Sequence, residues 1–383
     1  MKFVLFYHSI VSCWNHGNAH FLRGICRELL RRGHQVSVYE PADGWSRMNA
    51  VQDGGAARLG EAETLVPGVA LHTYDLESLD LDIALDDADV VLVHEWNPPE
   101  LVAAIGQKRS AGGGSFTLLF HDTHHRAVSA PHEITRFDID AYDGVLVFGE
   151  VLREVYLANG WARQVFTWHE AADTELFRPL PGRDKDVDLV WVGNWGDGER
   201  SAELHEFLLE PVSRLALKAR IHGVRYPSEI RDELTARGID YAGWLANHAV
   251  PEAFARAGAT VHIPRRPYVE ALPGIPTIRV FEALACGIPL VSAPWDDAEV
   301  LFPPGCYLTA SHGEEMCGAL SLLRRDHALR TELIGKGLAV IAARHSCAHR
   351  VEELLTIIGR LRGRTAPHPQ RRTGGESRLG VAS

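Results

Sequence analysis

The sequence predicts an α/β protein made of two Rossmann-like, doubly wound domains, residues 1–180 and 186–345. Three observations lead there. Short, nearly continuous apolar runs recur along the chain, as strands buried on both faces require. Segments with apolar residues at helical spacing lie between them. After a linker of proline, glycine and charge, Pro179 to Asp186, the same strand, loop and helix pattern starts again, and 383 residues exceed what one small core organises.

The first domain opens with Lys2 to Tyr7, an apolar strand, followed by a polar loop carrying Ser12, Trp14, Asn15, His16 and Gly17. A helix from Ala19 to Arg32 follows, because Phe21, Ile25, Leu29 and Leu22, Cys26, Leu30 form two adjacent apolar rows and Gly33 supplies the stop. Gln35 to Tyr39 completes a βαβ unit. Between residues 42 and 88 only a strand at Val69 to Tyr74 is legible. Asp89 to His94 is the next buried strand, leading through Glu95, Trp96 and two prolines into a helix to about Lys108. Gly112 to Gly114 turn the chain into a strand at Phe116 to Phe120, after which stand His121, Asp122, Thr123, His124, His125 and Arg126. Gly144 to Phe148, a helix from Glu150 to Gly160 and a short strand, Gln164 to Thr167, finish the sheet. Ligands of open α/β sheets bind at the carboxyl ends of strands, which makes the loop after the first strand, His94 to Trp96 and the histidine cluster candidate site segments.

The second domain begins with a strand, Asp188 to Gly193, a glycine-rich loop to Gly198 and a mostly helical stretch, Ser201 to Leu217. Lys218 to His222, Asp240 to Gly243 and Ala259 to Pro264 read as strands, with a helix from Pro251 to Ala257. The segment Gly274 to Ala293 organises this half. Thr277 is a helix cap by residue type, Ile278, Phe281 and Ala285 share one face, and Gly287 with Pro289 stops the helix before a strand, Leu290 to Ala293. Arg279 and Glu282 lie three residues apart and reach one ligand. A carboxylate accepts from vicinal ribose hydroxyls, and an arginine beside a helix N-terminus suits a phosphate, although an ordinary i,i+3 ion pair has the same spacing. Helices follow at Gly313 to Leu323, His327 to Arg344 and Cys347 to Leu361, and the tail 363–383, almost free of apolar residues, is expected to be disordered.

The run Val280 to Val291, Val-Phe-Glu-Ala-Leu-Ala-Cys-Gly-Ile-Pro-Leu-Val, resembles the donor-binding segment of GT-B glycosyltransferases, and Trp168 to Pro179 resembles the segment that ends the first domain in that family. The resemblance implies two domains facing across a cleft, with residues 346–362 as a helix packing back on the first. It implies a nucleotide-sugar donor on the second domain, bound by Glu282, Arg279, Thr277, Gly193, Asn194, Arg200, Arg265, Arg266 and Gly274. The acceptor then lies on the first domain, near Asn15, His16, Gly17, His94, Glu95 and Trp96. A histidine at the strand-end position contacts the donor sugar in many such proteins, so His121, with Asp122 and His124, is the expected catalytic group. In the large retaining branch a second glutamate stands at the position of Gly274, and the Thr-x-Arg-x-Phe-Glu pattern here resembles instead the branch of CgeB-like spore-maturation proteins. The implied activity is a hexosyltransferase-type glycosyl transfer.

A net charge of −11 without a basic run disfavours nucleic acid as a partner. The six cysteines are scattered without a Cys-x-x-Cys pair, so neither a disulfide framework nor a structural zinc site is expected. No apolar run has the length of a signal peptide or a membrane span, and a cytoplasmic location is expected. The glycine order Gly193, Gly196, Gly198 is not that of a dinucleotide fingerprint, and no cofactor is expected. Diphosphate charge falls to loop N–H groups and arginines, which predicts independence from metal. Alternatives for the histidines are a metal site of His121, His124 and His125 with His94 or Glu95, or plain loop packing. Asp80-x-Asp82 and Asp138-x-Asp140 can be nominated as metal-holding Asp-x-Asp pairs, a match too short to count for much in an acidic chain. Alternatives for the whole chain are a non-hydrolysing nucleotide-sugar epimerase of the same fold and a non-catalytic nucleotide-sugar binding subunit.

Overall fold

The computed structural model describes the chain except residues 15, 16, 55, 113, 114, 197 and 366–383. The expectations for Asn15, His16, Gly113, Gly114 and most of the tail lie outside the described residues. Two all-parallel sheets form the framework. The first holds β1 (Lys2–Phe6), β2 (Gln35–Pro41), β3 (Ala70–Tyr74), β4 (Val90–His94), β5 (Thr117–Asp122), β6 (Gly144–Val147) and β7 (Val165–Thr167), in the order β3-β2-β1-β4-β5-β6-β7. The second holds β8 (Val187–Val192), β9 (Ala219–His222), β10 (Asp240–Gly243), β11 (Ala257–His262), β12 (Leu290–Ser292) and β13 (Leu308–Thr309), in the order β10-β9-β8-β11-β12-β13. The order reverses beside β1 and beside β8, and each reversal opens a crevice at the carboxyl ends of the strands.

Alternation along β1 shows why its apolar run is nearly unbroken. Phe3 and Leu5 enter one core, and Val4 and Phe6 enter the core on the other face. The helix Asn18–Arg31 buries Phe21, Leu22, Ile25, Cys26 and Leu29 against the first of these. The last helix, Cys347–Thr365, crosses back as expected. Its Val351, Leu354, Ile357, Ile358 and Leu361 share that same core, the Trp168 indole N–H donates to the Arg350 carbonyl at 2.8 Å, and Arg362 donates to the Asp89 carbonyl at 2.7 Å.

Several elements differ from the sequence reading. Residues 42–88 contain the helices Trp45–Gly54, Ala57–Glu63 and Leu81–Ala84, the first of which buries Ser46 and Ala50 and leaves Trp45, Met48 and Val51 exposed, so it offers no apolar face to a periodicity argument. The stretch from Ser201 to Arg214 is interrupted by a π-helical turn at His205–Leu209. Thr277 stands at the helix N-cap in an extended conformation, but its side chain caps no N–H. Asp80 does cap a helix, accepting from the backbone N–H groups of Asp82 and Ile83, so the Asp80-x-Asp82 pair is explained as a local turn. Asp138 likewise accepts from the N–H of Asp140. All six cysteines are free and buried, and among the described residues no helix is long and apolar enough to cross a membrane.

Candidate functional site

The carboxyl ends of the two sheets enclose a cleft of two joined chambers. The inner one, of about 200 Å³, is walled mainly by the second domain: Trp191 to Asn194 at the end of β8, His222 to Val224 at the end of β9, Trp244, Leu245 and Asn247 after β10, His262 and Ile263 at the end of β11, and Thr277 to Arg279 at the N-terminus of the helix Ile278–Cys286. The outer one, of about 700 Å³, reaches across to the first domain and is lined there by Trp14, Asn49, Trp96, Thr123, His124 and His125 among others. Gly17, Asn194, Arg200, Arg265 and Thr277 border both. Gly17 is required by proximity, since a Cβ there would lie 2.6 Å from Ile278 Cγ2 across the domain boundary.

The glycine-rich loop is held rigidly at this border. The Gly193 carbonyl accepts from the Tyr226 hydroxyl (3.0 Å) and the Trp191 indole (3.2 Å), and a Cβ on Gly223 would meet that same oxygen at 1.9 Å. Arg200 donates to the Asn194 side-chain oxygen (2.6 Å), the Asn194 carbonyl (2.8 Å) and the Ile263 carbonyl (3.0 Å). Burial lowers its pKa to about 10, which leaves it cationic at neutral pH. Arg265 also reaches Asn194, at 3.3 Å, and pairs with Glu199 at 2.6 Å. His262 closes the floor. The Ser292 hydroxyl gives its proton to the Ala293 carbonyl (2.8 Å) and so accepts from His262 Nδ1 (2.9 Å), which leaves Nε2 as an acceptor with no partner among the described residues.

Glu282 is corrected from ligand to foundation. It is the fifth residue of its helix, one turn below the N-terminus, and its side chain is 0% exposed. Its carboxylate is enclosed by Arg279, by His20 of the first domain at 2.8 Å and by Asn247 at 3.1 Å. Burial alone would raise this carboxyl, but Arg279, His20 and Asn247 together hold it below its ordinary value. Arg279, resting on that carboxylate, lines the cleft. Gly274 and Arg266 do not line it. Gly274 (φ 87°) packs against Glu299, whose carboxylate accepts from the Glu150 N–H (2.8 Å) and from His169 (2.7 Å) of the first domain. Arg266 faces outward to Glu203 and the Gly198 carbonyl.

In the first domain the histidine cluster divides. β5 runs two residues beyond its predicted end, so His121 and Asp122 remain inside the sheet and the chain emerges only at Thr123. His121 is 1% exposed, packed on Trp168 and bonded through Nδ1 to the Tyr7 hydroxyl at 2.6 Å, and burial lowers its pKa to about 3. Asp122 accepts from the Tyr156 hydroxyl (2.8 Å) and the His124 N–H (3.0 Å), and burial raises its carboxyl to about 6. Neither lines the cleft. His124 and His125 do, their ring centroids 4.0 Å apart, and burial shifts His125 below its ordinary value. His94 and Glu95 are buried beneath, on Thr123 (3.0 Å) and Arg126 respectively, while Trp96 reaches the cleft. Among the described residues no three His, Cys, Asp or Glu side chains form a group able to hold a metal ion. The sequence reading missed Trp45, Asn49 and Arg225 in the outer chamber and the Trp244, Leu245, Asn247 wall of the inner one.

Structural comparison places this arrangement. Sucrose-phosphate synthase from Thermosynechococcus elongatus is 13% identical, with a TM-score of 0.67 over 95% of this chain and 100% of that one. Anabaena HepE in complex with UDP is 14% identical, with a TM-score of 0.62 over 94% and 100% of the two chains. T4 phage BGT in complex with its UDP-glucose substrate is 13% identical, with a TM-score of 0.60 over 94% and 99%. The fold is GT-B. Residues 200–356 of this GT-B chain also match a family described as glycosyl transferase-like, a segment that contains the cleft helix and most of the inner chamber. No curated protein sequence matches.

Proposed function

We propose that this GT-B protein is a hexosyltransferase-type glycosyltransferase that takes a sugar from a nucleotide-sugar donor seated in the inner chamber and gives it to an acceptor in the outer one, without a metal ion. The observation that carries this reading is the border between the chambers. There Arg200, Arg265 and Thr277, at the N-terminus of the helix Ile278–Cys286, border the loop at Asn194, with Arg279 inside the inner chamber and His124 and His125 on the wall of the outer one. Cations, loop N–H groups and a helix N-terminus stabilise a leaving diphosphate, the charge that develops as the bond from the anomeric carbon to the diphosphate oxygen breaks. The acceptor oxygen forms the new bond to that carbon and gives up its proton. His124, on the cleft wall, is suited to take it. Asp122 positions His124 through its backbone N–H, and His125, whose Nδ1 is bonded to Ser129, packs beside the His124 ring.

UDP and UDP-glucose are the first probes, since HepE and T4 BGT hold these compounds. At 100 times its dissociation constant UDP should stabilise the protein by about 2.7 kcal/mol. Hydrolysis or transfer from UDP-glucose is expected to continue in EDTA. Absence of binding to any nucleoside diphosphate refutes the reading, and activity lost in EDTA but restored by a divalent ion refutes its metal-free part.

A further inference from the structure

The outer chamber has a composition that selects an acceptor class, an inference that rests on the donor reading of the inner one. Three indoles from three separate segments meet there. Trp14 follows β1, Trp45 opens the helix after β2, and Trp96 follows β4. Trp14 and Trp45 have ring centroids 5.8 Å apart at 80°, and Trp45 and Trp96 are 6.4 Å apart at 62°. Both contacts are edge-to-face, and all three rings line the chamber, which gives it an aromatic bowl. One face of Trp96 is covered by the Arg126 guanidinium at 4.1 Å. Polar groups of Asn49, Thr123 and His124 border the bowl.

The segment bearing Trp14 is built in advance. The buried Glu40 carboxylate accepts from the N–H groups of Ile10 (2.7 Å) and Val11 (2.8 Å), and the fully buried Arg23 donates to the carbonyls of the same two residues at 2.7 and 3.0 Å. The described lining contains no Leu, Ile, Val, Met or Phe, and no Asp or Glu. A lipid chain would find no aliphatic wall, and a cationic acceptor would meet Arg200, Arg225 and Arg265 in the lining. A pyranose fits both features of the bowl, because its C–H face packs on aromatic rings while its hydroxyls turn to the polar border.

We propose that the acceptor is itself a saccharide, with a sugar ring bound among Trp14, Trp45 and Trp96 and a hydroxyl directed to His124 and His125. The protein extends an existing glycan or glycoside. The test titrates the protein, loaded with UDP, with maltose, cellobiose, lactose and chitobiose, and separately with 1-octanol and a dT12 oligonucleotide, reading tryptophan emission and saturation-transfer NMR. At least one disaccharide should bind saturably, and Trp45→Ala and Trp96→Ala should each weaken it roughly tenfold or more while UDP affinity is retained. Trp45 is 37% exposed, so its removal leaves the core intact even if loss of Trp96 releases Arg126. Unchanged saccharide affinity in Trp45→Ala, binding of octanol or dT12 alone, or no disaccharide binding to a protein that binds UDP normally would overturn the assignment. Failure of the wild-type protein to bind any nucleoside diphosphate would overturn the donor reading and this inference with it.

Discussion

Replacing Glu282 by glutamine tests the buried network that joins the two domains beneath the cleft. The carboxylate takes donors from Arg279, His20 and Asn247 with no solvent contact of its own. The amide keeps the volume and one acceptor oxygen but turns its NH2 toward a donor. Losing a charged hydrogen bond costs about 1.5–3 kcal/mol, and leaving a buried cation unpaired moves the total toward about 3–5 kcal/mol. Arg279 retains 16% exposure to the cleft, which moderates that cost. A destabilisation of about 3 kcal/mol is expected, seen as a fall of roughly 4–8 °C in melting temperature. UDP should bind roughly tenfold more weakly, because Arg279 loses the group that orients it. Glu252, exposed and paired with Arg183 and Arg256, is the control: its glutamine variant should melt as the wild type does. Calorimetry supplies both readouts. Weakened UDP binding with an unchanged melting temperature would mean that Glu282 grips the nucleotide directly, and the account of it as a foundation would be wrong.

The remaining tests separate cleft from core. His121→Ala should cost about 2–4 kcal/mol of stability, by opening a cavity beside Trp168 and Tyr7, with UDP affinity unchanged, whereas His124→Ala should lower turnover roughly 10²-fold at constant melting temperature; the reverse pattern would return catalysis to His121. Gly223→Ala forces a methyl to within 1.9 Å of the Gly193 oxygen, so it should displace the loop and weaken UDP binding as well as the fold, and a variant with wild-type UDP affinity would refute the role given to that loop. His121, His262 and His345 are lowered to about 3 and His222 to about 4 by burial, so the unfolded chain binds more protons and stability should fall as pH drops from about 6.5 toward 4. Asp122, raised to about 6, and Glu170 and Asp297, also raised by burial, act with the opposite sign, but they are three carboxyls against four histidines. Urea midpoints at pH 7 and pH 5 check this, and an equal or higher midpoint at pH 5 would contradict it.

The central strands, such as β1, β4, β5 and β8, were legible because they are buried on both faces, which leaves a nearly unbroken apolar run in the sequence. Patterns of this kind locate an element but not its last residue. The expected end of β5 at Phe120 left His121 in the open, and two more residues of sheet moved the exposed position to His124 and His125. Spacing likewise brought Arg279 and Glu282 together but did not reveal which of them faces solvent; that depends on His20 and Asn247, distant in sequence. Trp45, Asn49 and Arg225 carry no local signal at all. They lie in a weakly patterned helix and in a loop residue with φ of 61°, and only the approach of separate segments makes them neighbours.

The return of the last helix to the first domain affects how the protein is made. Residues 347–365 leave the ribosome after every strand of the second sheet, yet Val351, Leu354 and Ile358 complete the core begun by Phe21, Ile25 and Leu29. Throughout synthesis of the second domain, the first therefore waits with an apolar strip uncovered. A chain halted before residue 347 exposes that strip permanently, and residues 1–180 expressed alone should aggregate unless a peptide spanning 347–365 is supplied.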